Sequence, residues 1–262
     1  MYAQHDPDYA IIRDHSLKIY AAFLPQSLEY TSGDVCVVID AVRAGASLVA
    51  MAEAGDPLVY LAEDTQQARQ LRDTYRPQAL LGGEKGGLTP PGFDLGNSPQ
   101  EWSTRALGGE EVVFGTTNGT RAIALCSGAS HVLVASFNNV SAVALRARVL
   151  ADRCVKIVCA GQGGLLALDD AVCAGLIVRQ FVQEHDCVAD SAVMAMALAD
   201  QFDDINWVMR NSESGRRLLD IGYESDLDWC GRVDSSQKVP ELAKGEVTAH
   251  SRLALLQDSR GT

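Results

Sequence analysis

Short runs of β-branched and other apolar residues alternate along the chain with stretches whose apolar positions recur at helical spacing. Repetition of that pair is the signature of a mainly parallel sheet, whose strands are buried on both faces and joined by helical crossovers. "DVCVVID" (34–40) is the clearest buried strand, and "AVRAGASLVAMAEAG" (41–55) is the helix after it, ending at a glycine suited to a helix stop. "LVYLAED" (58–64) then leads into "TQQARQLRDTY", for which Thr65 is the expected N-cap. The pattern returns over 111–129, 131–150 and 156–185. Beyond about 188 come helical stretches, "VADSAVMAMALADQF" and "SGRRLLDIG", and then a polar C-terminal segment from 234. The predicted fold is α/β, a three-layer α/β/α arrangement with a mainly parallel or mixed sheet of strand–turn–helix units. The chain is expected to form one unit over 1–262, with a two-lobe split near 150 as the alternative.

One stretch breaks the alternation. Glycines and prolines in "ALLGGEKGGLTPPGFDLGNSPQEW" (79–102) oppose regular structure over most of its length, and a long irregular loop inside a compact domain is usually functional. The polar turns elsewhere fall where parallel strands would reach their carboxyl ends, the edge at which open α/β sheets place ligands.

These turns carry the candidate chemistry. Asp40 ends an apolar strand, where an unpaired carboxylate is costly to bury, so it faces a cleft or pairs locally with Arg43 at a helix start. Glu84 lies between two glycine pairs in "GGEKGG", either against a ligand or in a mobile surface loop. In "FGTTNGTRA" (114–122), Thr116, Thr117 and Thr120 supply hydroxyls, Asn118 a cap and Gly119 a permissive backbone, just where a helix would present free N–H groups. That is an anion cradle in kind, although a plain cap accounts for one of its polar groups. "SFNNVSA" and "CAGQGGLLALDDAVCAG" repeat the theme with Asn138, Gly161, Asp169 and Asp170, the two acids serving equally as helix-dipole partners.

Composition narrows the function. A formal charge of -12 disfavours a phosphate-backbone binder, so nucleic acid is not an expected partner and an anionic ligand must be captured locally. Seven cysteines without metal-ligand spacing read as buried free thiols in a reducing, cytoplasmic setting. No apolar run reaches membrane-span length, and the N-terminal residues do not read as a signal peptide. The nucleotide P-loop lysine, the full GxGxxG spacing and a GxSxG elbow are all missing, and the histidines fall outside the polar turns. What remains is carboxylates beside anion donors, a combination that suits Mg²⁺ and a phosphorylated substrate.

With "VVIDAVRAGAS", "LLGGEKGG", "GFDLGNSP", "TTNGTRA", "SFNNVSA" and "CAGQGGLLALDDAVCAG" in this order, and "SGRRLLDIGYESDLDWC" after them, nearly the whole chain resembles the 2-phosphosulfolactate phosphatase family. The resemblance implies Mg²⁺-dependent hydrolysis of 2-phosphosulfolactate to sulfolactate and phosphate, in the coenzyme M pathway. It implies catalytic roles for Asp40, Arg43, Glu84 and Asp94, and a metal held from among Asp40, Glu84, Asp94 and Asp170. It assigns substrate binding to Asn97, Thr117, Asn118, Gly119, Thr120, Arg121 and Asn138, and Gly161 joins them from its own turn. Two positions depart from the family pattern: Gly45-Ala46 stand where Thr-Ser is usual, and Asp169 where glutamate is usual. A phosphatase for another small phosphorylated hydroxy acid and a non-catalytic anion-binding homologue are therefore alternatives. So are direct attack by water and an aspartyl-phosphate on Asp40, and a homodimer is left open.

Overall fold

Two all-parallel sheets organise the chain in a computed structural model that describes residues 16–243 and 253–255. Elements run in the order β1 (Lys18–Ala22), β2 (Asp34–Ile39), α1 (Ala44–Glu53), β3 (Leu58–Ala62), α2 (Thr65–Tyr75), β4 (Leu80–Gly83) and α3 (Pro99–Ser103). They continue with β5 (Glu111–Gly115), α4 (Gly119–Leu125), β6 (His131–Ala135), α5 (Val140–Leu150), β7 (Cys154–Cys159) and α6 (Leu168–Phe181). The last are β8 (Cys187–Val188), α7 (Asp190–Ala199), α8 (Ile205–Asn211), α9 (Glu213–Asp220), α10 (Glu224–Cys230) and β9 (Leu253–Leu255).

The first sheet has the order β6-β2-β7-β1-β8 and the second β4-β5-β3-β9. The expected α/β class holds, with the strands divided between two sheets. The chain leaves the first sheet after β2, builds β3 to β5 of the second, and returns at β6, so it changes sheets on either side of 58–115 rather than at 150.

Side-chain alternation builds the layers. Val35, Val37 and Ile39 of β2, with Leu133 and Ile157, face a core completed by α5, α6 and α7. Cys36 and Val38 point the other way, to a core shared with Leu48 of α1, Ile123 of α4, and Val59, Leu61 and Phe114 of the second sheet. The far face of that sheet, Tyr60, Leu81 and Val113, is covered by Ala68 and Leu71 of α2. Each sheet is thus the middle of an α/β/α sandwich, and the two sandwiches share one helical layer.

Local boundaries differ from expectation for physical reasons. Helix α1 begins at Ala44 rather than 41, because 40–43 form the turn that carries the site. The cap of α2 is Asp64, whose Oδ1 accepts from Gln67 N at 2.8 Å, and Thr65 is already helical. An Asp64→Ala variant is expected to lose about 1 kcal/mol of stability, seen in thermal unfolding as a drop of about 2–4 °C. The 79–102 loop starts with a genuine strand, because Gly83 at φ 142 lets β4 press against β5 where a Cβ would lie 2.0 Å from Gly115 O. The same loop ends in α3, capped by Ser98, whose Oγ accepts from Glu101 N.

Beyond α10 the backbone returns to the first sheet, where Val134 N donates to Pro240 O and Leu242 N to Val132 O. The N-terminal reading lies almost entirely outside the described residues, as does most of the polar C-terminal tail after 243. Among the described residues no helix is long and apolar enough to cross a membrane.

Candidate active site

Register aligns the strand ends. Ile39 pairs with Ala135 and Cys159, so Asp40, Ser136 and Ala160 leave the first sheet at one level. Gly115 pairs with Ala62 and Gly83, so Thr116, Glu63 and Glu84 leave the second sheet together. Between these edges lies a cleft of about 190 Å³, closed on a third side by Ser214, Arg217 and Leu218 of α9. The ligand edge expected from one sheet is therefore built from two.

Asp40 lines this cleft. Its Oδ1 accepts from Ala44 N at 3.1 Å, and Gly119 packs so closely that a Cβ there would stand 2.6 Å from Oδ2. Only a glycine fits at that contact, which accounts for Gly119 in the polar turn. Burial, aided by the charges of Asp169 and Glu84, pushes the Asp40 carboxyl up to about 7. Asp169, 1% exposed, is raised to about 6 by burial, and its Oδ1 has no hydrogen-bond partner. Asp170 is also raised, by burial and then by the charges of Asp169 and Asp40. Both Asp170 oxygens are nevertheless occupied, Oδ1 by Ala41 N and Oδ2 by Gly161 N, each at 2.9 Å. It staples the ends of β2 and β7 together, and this is also the place of Gly161.

Glu84 likewise organises the cleft. Its Oε1 accepts from the Thr117 amide at 2.8 Å and hydroxyl at 2.7 Å, and its Oε2 from Gly87 N at 2.7 Å. Asn118 occupies the N-cap position of α4 without a side-chain cap bond. It reaches across the sheets instead, donating to Gln162 Oε1 and accepting from Gly163 N. Thr120 turns inward to Thr116. Asn97 lines the cleft with its Oδ1 buried and unpartnered, while its carbonyl accepts from Ser47 Oγ at 3.0 Å.

Arg43 does not pair with Asp40. Its Nη1 donates to Asp226 Oδ2 at 2.6 Å and its Nη2 to Gly87 O at 2.5 Å, and the guanidinium lies 4.6 Å from the Tyr223 ring centroid. Asp226 Oδ1 accepts from Ser98 Oγ at 2.6 Å, so one α10 carboxylate ties together the turn after β2 and the loop after β4.

Other expected residues lie elsewhere. Asp94 lines a separate cleft with Glu101 and Arg105, and its Oδ2 accepts from Leu81 N. Arg121 lines a neighbouring cleft that shares Glu84, Lys85, Thr116 and Thr117 with the first. Asn138 is fully buried and donates to Trp229 O and Arg232 O, holding the segment after α10. Sequence reasoning passed over Lys85, Gln162, Ser214, Arg217 and Asp226 as site residues. Lys85 and Gln162 sat inside quoted motifs, but nothing in "SGRRLLDIG" separates Arg217 from its surface neighbour Arg216.

A magnesium ion would be met here by fewer carboxylates than expected. Among the described residues no three acidic, histidine or cysteine side chains form a ready metal cage. Of the four acids expected to hold it, Glu84 and Asp170 already use both oxygens, and Asp94 faces another cleft. Asp40 remains, joined by Asp169 with its unpartnered buried oxygen. Mg²⁺ commonly takes one or two carboxylates and completes its shell with water and substrate phosphate, and a cation would offset the burial that raises both acids and the Asp169 charge that raises Asp40. The residues present fit that ion.

Fold and cleft together define an α/β protein with a strand-end cleft lined by Asp40 and Glu84 and by the cationic Lys85 and Arg217. The chain belongs to the 2-phosphosulpholactate phosphatase family, whose model matches residues 22–245. It is 40% identical over 215 residues to a probable 2-phosphosulfolactate phosphatase of Deinococcus radiodurans, covering 81% of this chain and 89% of that protein. A probable 2-phosphosulfolactate phosphatase of Thermus thermophilus is 38% identical, over 80% of this chain and 88% of its own. One from Symbiobacterium thermophilum is 34% identical over 84% and 95% respectively.

Proposed function

We propose that the protein is a cytoplasmic, Mg²⁺-dependent phosphatase that hydrolyses 2-phosphosulfolactate to sulfolactate and phosphate. The observation that carries this reading is Asp40 in the cleft lining, with the charge of Asp169 acting on its carboxyl and an Asp169 oxygen buried without a partner. Asp40 and Asp169 would hold the ion, which supplies charge neutralisation to the phosphoryl oxygens when bound. Asn118, fixed by its bond to Gln162, keeps a second amide N–H at the mouth of the second sheet for the phosphate, and Thr117 beside it is held by Glu84. Asn97, whose main-chain carbonyl is held by Ser47, lines the same cleft. In the net reaction the P–O ester bond breaks, a water oxygen ends on phosphorus, and one water proton ends on the sulfolactate hydroxyl.

The family departure at Gly45-Ala46 does not disable this site. A Cβ at Gly45 would stand 2.4 Å from Ala135 O, and Ala46 is buried in the core, so neither position lines the cleft. A panel of small phosphoesters with and without EDTA tests the proposal. Phosphate release is expected to be fastest from 2-phosphosulfolactate, to stop with chelator and to return with Mg²⁺. Release from that ester that is indifferent to EDTA would remove the metal from the account, and faster release from a different phosphorylated hydroxy acid would change the substrate.

A further inference from the structure

We infer that Arg217 is the specificity-determining residue of this cleft, binding the acidic group of the substrate that is not transferred, a sulfonate. The inference rests on the proposed substrate class and adds the residue that reads it. A protein of formal charge -12 must attract a polyanion locally, so the balance of charge inside the cleft decides. Arg43 is neutralised by Asp226 at 2.6 Å and has spent a second donor on Gly87 O. Asp40 and Glu84 add negative charge to the lining. Two cationic side chains in the lining, Lys85 and Arg217, have no ion pair or side-chain hydrogen bond among the described residues.

These two differ in what they can reach. Lys85 stands on the wall shared with the neighbouring cleft and serves both openings. Arg217 projects from α9, the only helix interior among the described residues to line this cleft, and faces the strand-end turns where the phosphate donors sit. Its guanidinium lies over the Gly86 turn, where a Cβ would stand 3.4 Å from Arg217 Nη2. A guanidinium presents parallel N–H groups that match two oxygens of a sulfonate, and an exposed, unpaired one loses little to desolvation on doing so. Phosphate at the acidic floor with its metal, and sulfonate at the α9 rim, uses each part of the cleft for the charge it can hold.

Calorimetric titration of the full chain in Mg²⁺ with sulfolactate, and separately with inorganic phosphate, tests this without turnover. Arg217→Gln is expected to weaken sulfolactate about tenfold to a hundredfold, with phosphate held within about threefold. Arg217→Lys should recover part of the loss, and Arg216→Gln, on the same helix but outside the cleft, should bind both as the natural protein does. Equal weakening of both ligands, or unchanged sulfolactate binding, overturns the role of Arg217. Intact, Arg217-dependent sulfolactate binding in a protein that releases no phosphate would instead overturn the hydrolytic reading and leave the inference standing.

Discussion

Asp40→Asn is expected to remove phosphate release on the order of a thousandfold while leaving the chain folded, because the lost carboxylate supplies several kcal/mol of charge stabilisation through the ion it holds. Asparagine preserves shape beside Gly119 and still accepts from Ala44 N, so the turn should survive. The same substitution has an opposite effect on stability. The Asp40 carboxyl is pushed up to about 7 by burial, above its ordinary value of 3.8. An acid raised in the folded state holds its proton longer there than in the unfolded chain. Without metal, its contribution therefore turns unfavourable as pH rises from about 4 to about 7. Chelated Asp40→Asn should accordingly unfold at a higher temperature than the natural protein at pH 8, and at nearly the same temperature at pH 4. Near-normal phosphate release from the variant would take Asp40 out of the chemistry.

Asp226→Ala is expected to be the most damaging single change to the scaffold. Both side chains of the Arg43–Asp226 pair are almost wholly buried, at 2% and 1% exposure, and removal of one partner leaves an uncompensated charge. Such a loss costs about 3–5 kcal/mol, or roughly 10 °C in a protein of this size. Ser98 loses its acceptor at the same time, so the loop that carries Asn97 loosens with it. The double variant Arg43→Leu/Asp226→Leu should recover much of the stability, because an apolar pair removes both buried charges. It should not recover activity, since Gly87 O and the loop around Glu84 lose the guanidinium that holds them. Recovery of both together would make the pair a packing device without a part in the site.

The strands were the most legible part of the fold, because β2 and β6 are buried over nearly their whole length and read as apolar runs behind one polar residue. Their division between two sheets was not legible. Pairing is decided by long-range register, and nothing within 58–62 or 111–115 tells which sheet will receive it. At the site, motifs on strand-end turns were visible because glycine, threonine and asparagine are unusual next to buried strands. That signal located Asp40, Glu84, Asn97, Thr117 and Asn118 in one cleft. It did not distinguish a residue facing ligand from one fastening backbone. Asp170 and Asn138 looked equivalent to Asp40 and Asn118, and the geometry makes both of them fasteners. Asp169 and Asp226 carry the opposite lesson: the first was read as a helix-dipole partner and the second not at all as a site residue, because a carboxylate's role within a helix shows only once its partner, or its lack of one, is located.

Phosphorus NMR of the purified chain with 2-phosphosulfolactate and excess Mg²⁺ tests the central claim most directly. The account expects the ester resonance to give way to inorganic phosphate in equal amount. An ester signal that stays unchanged in the presence of folded, metal-supplied protein would contradict it.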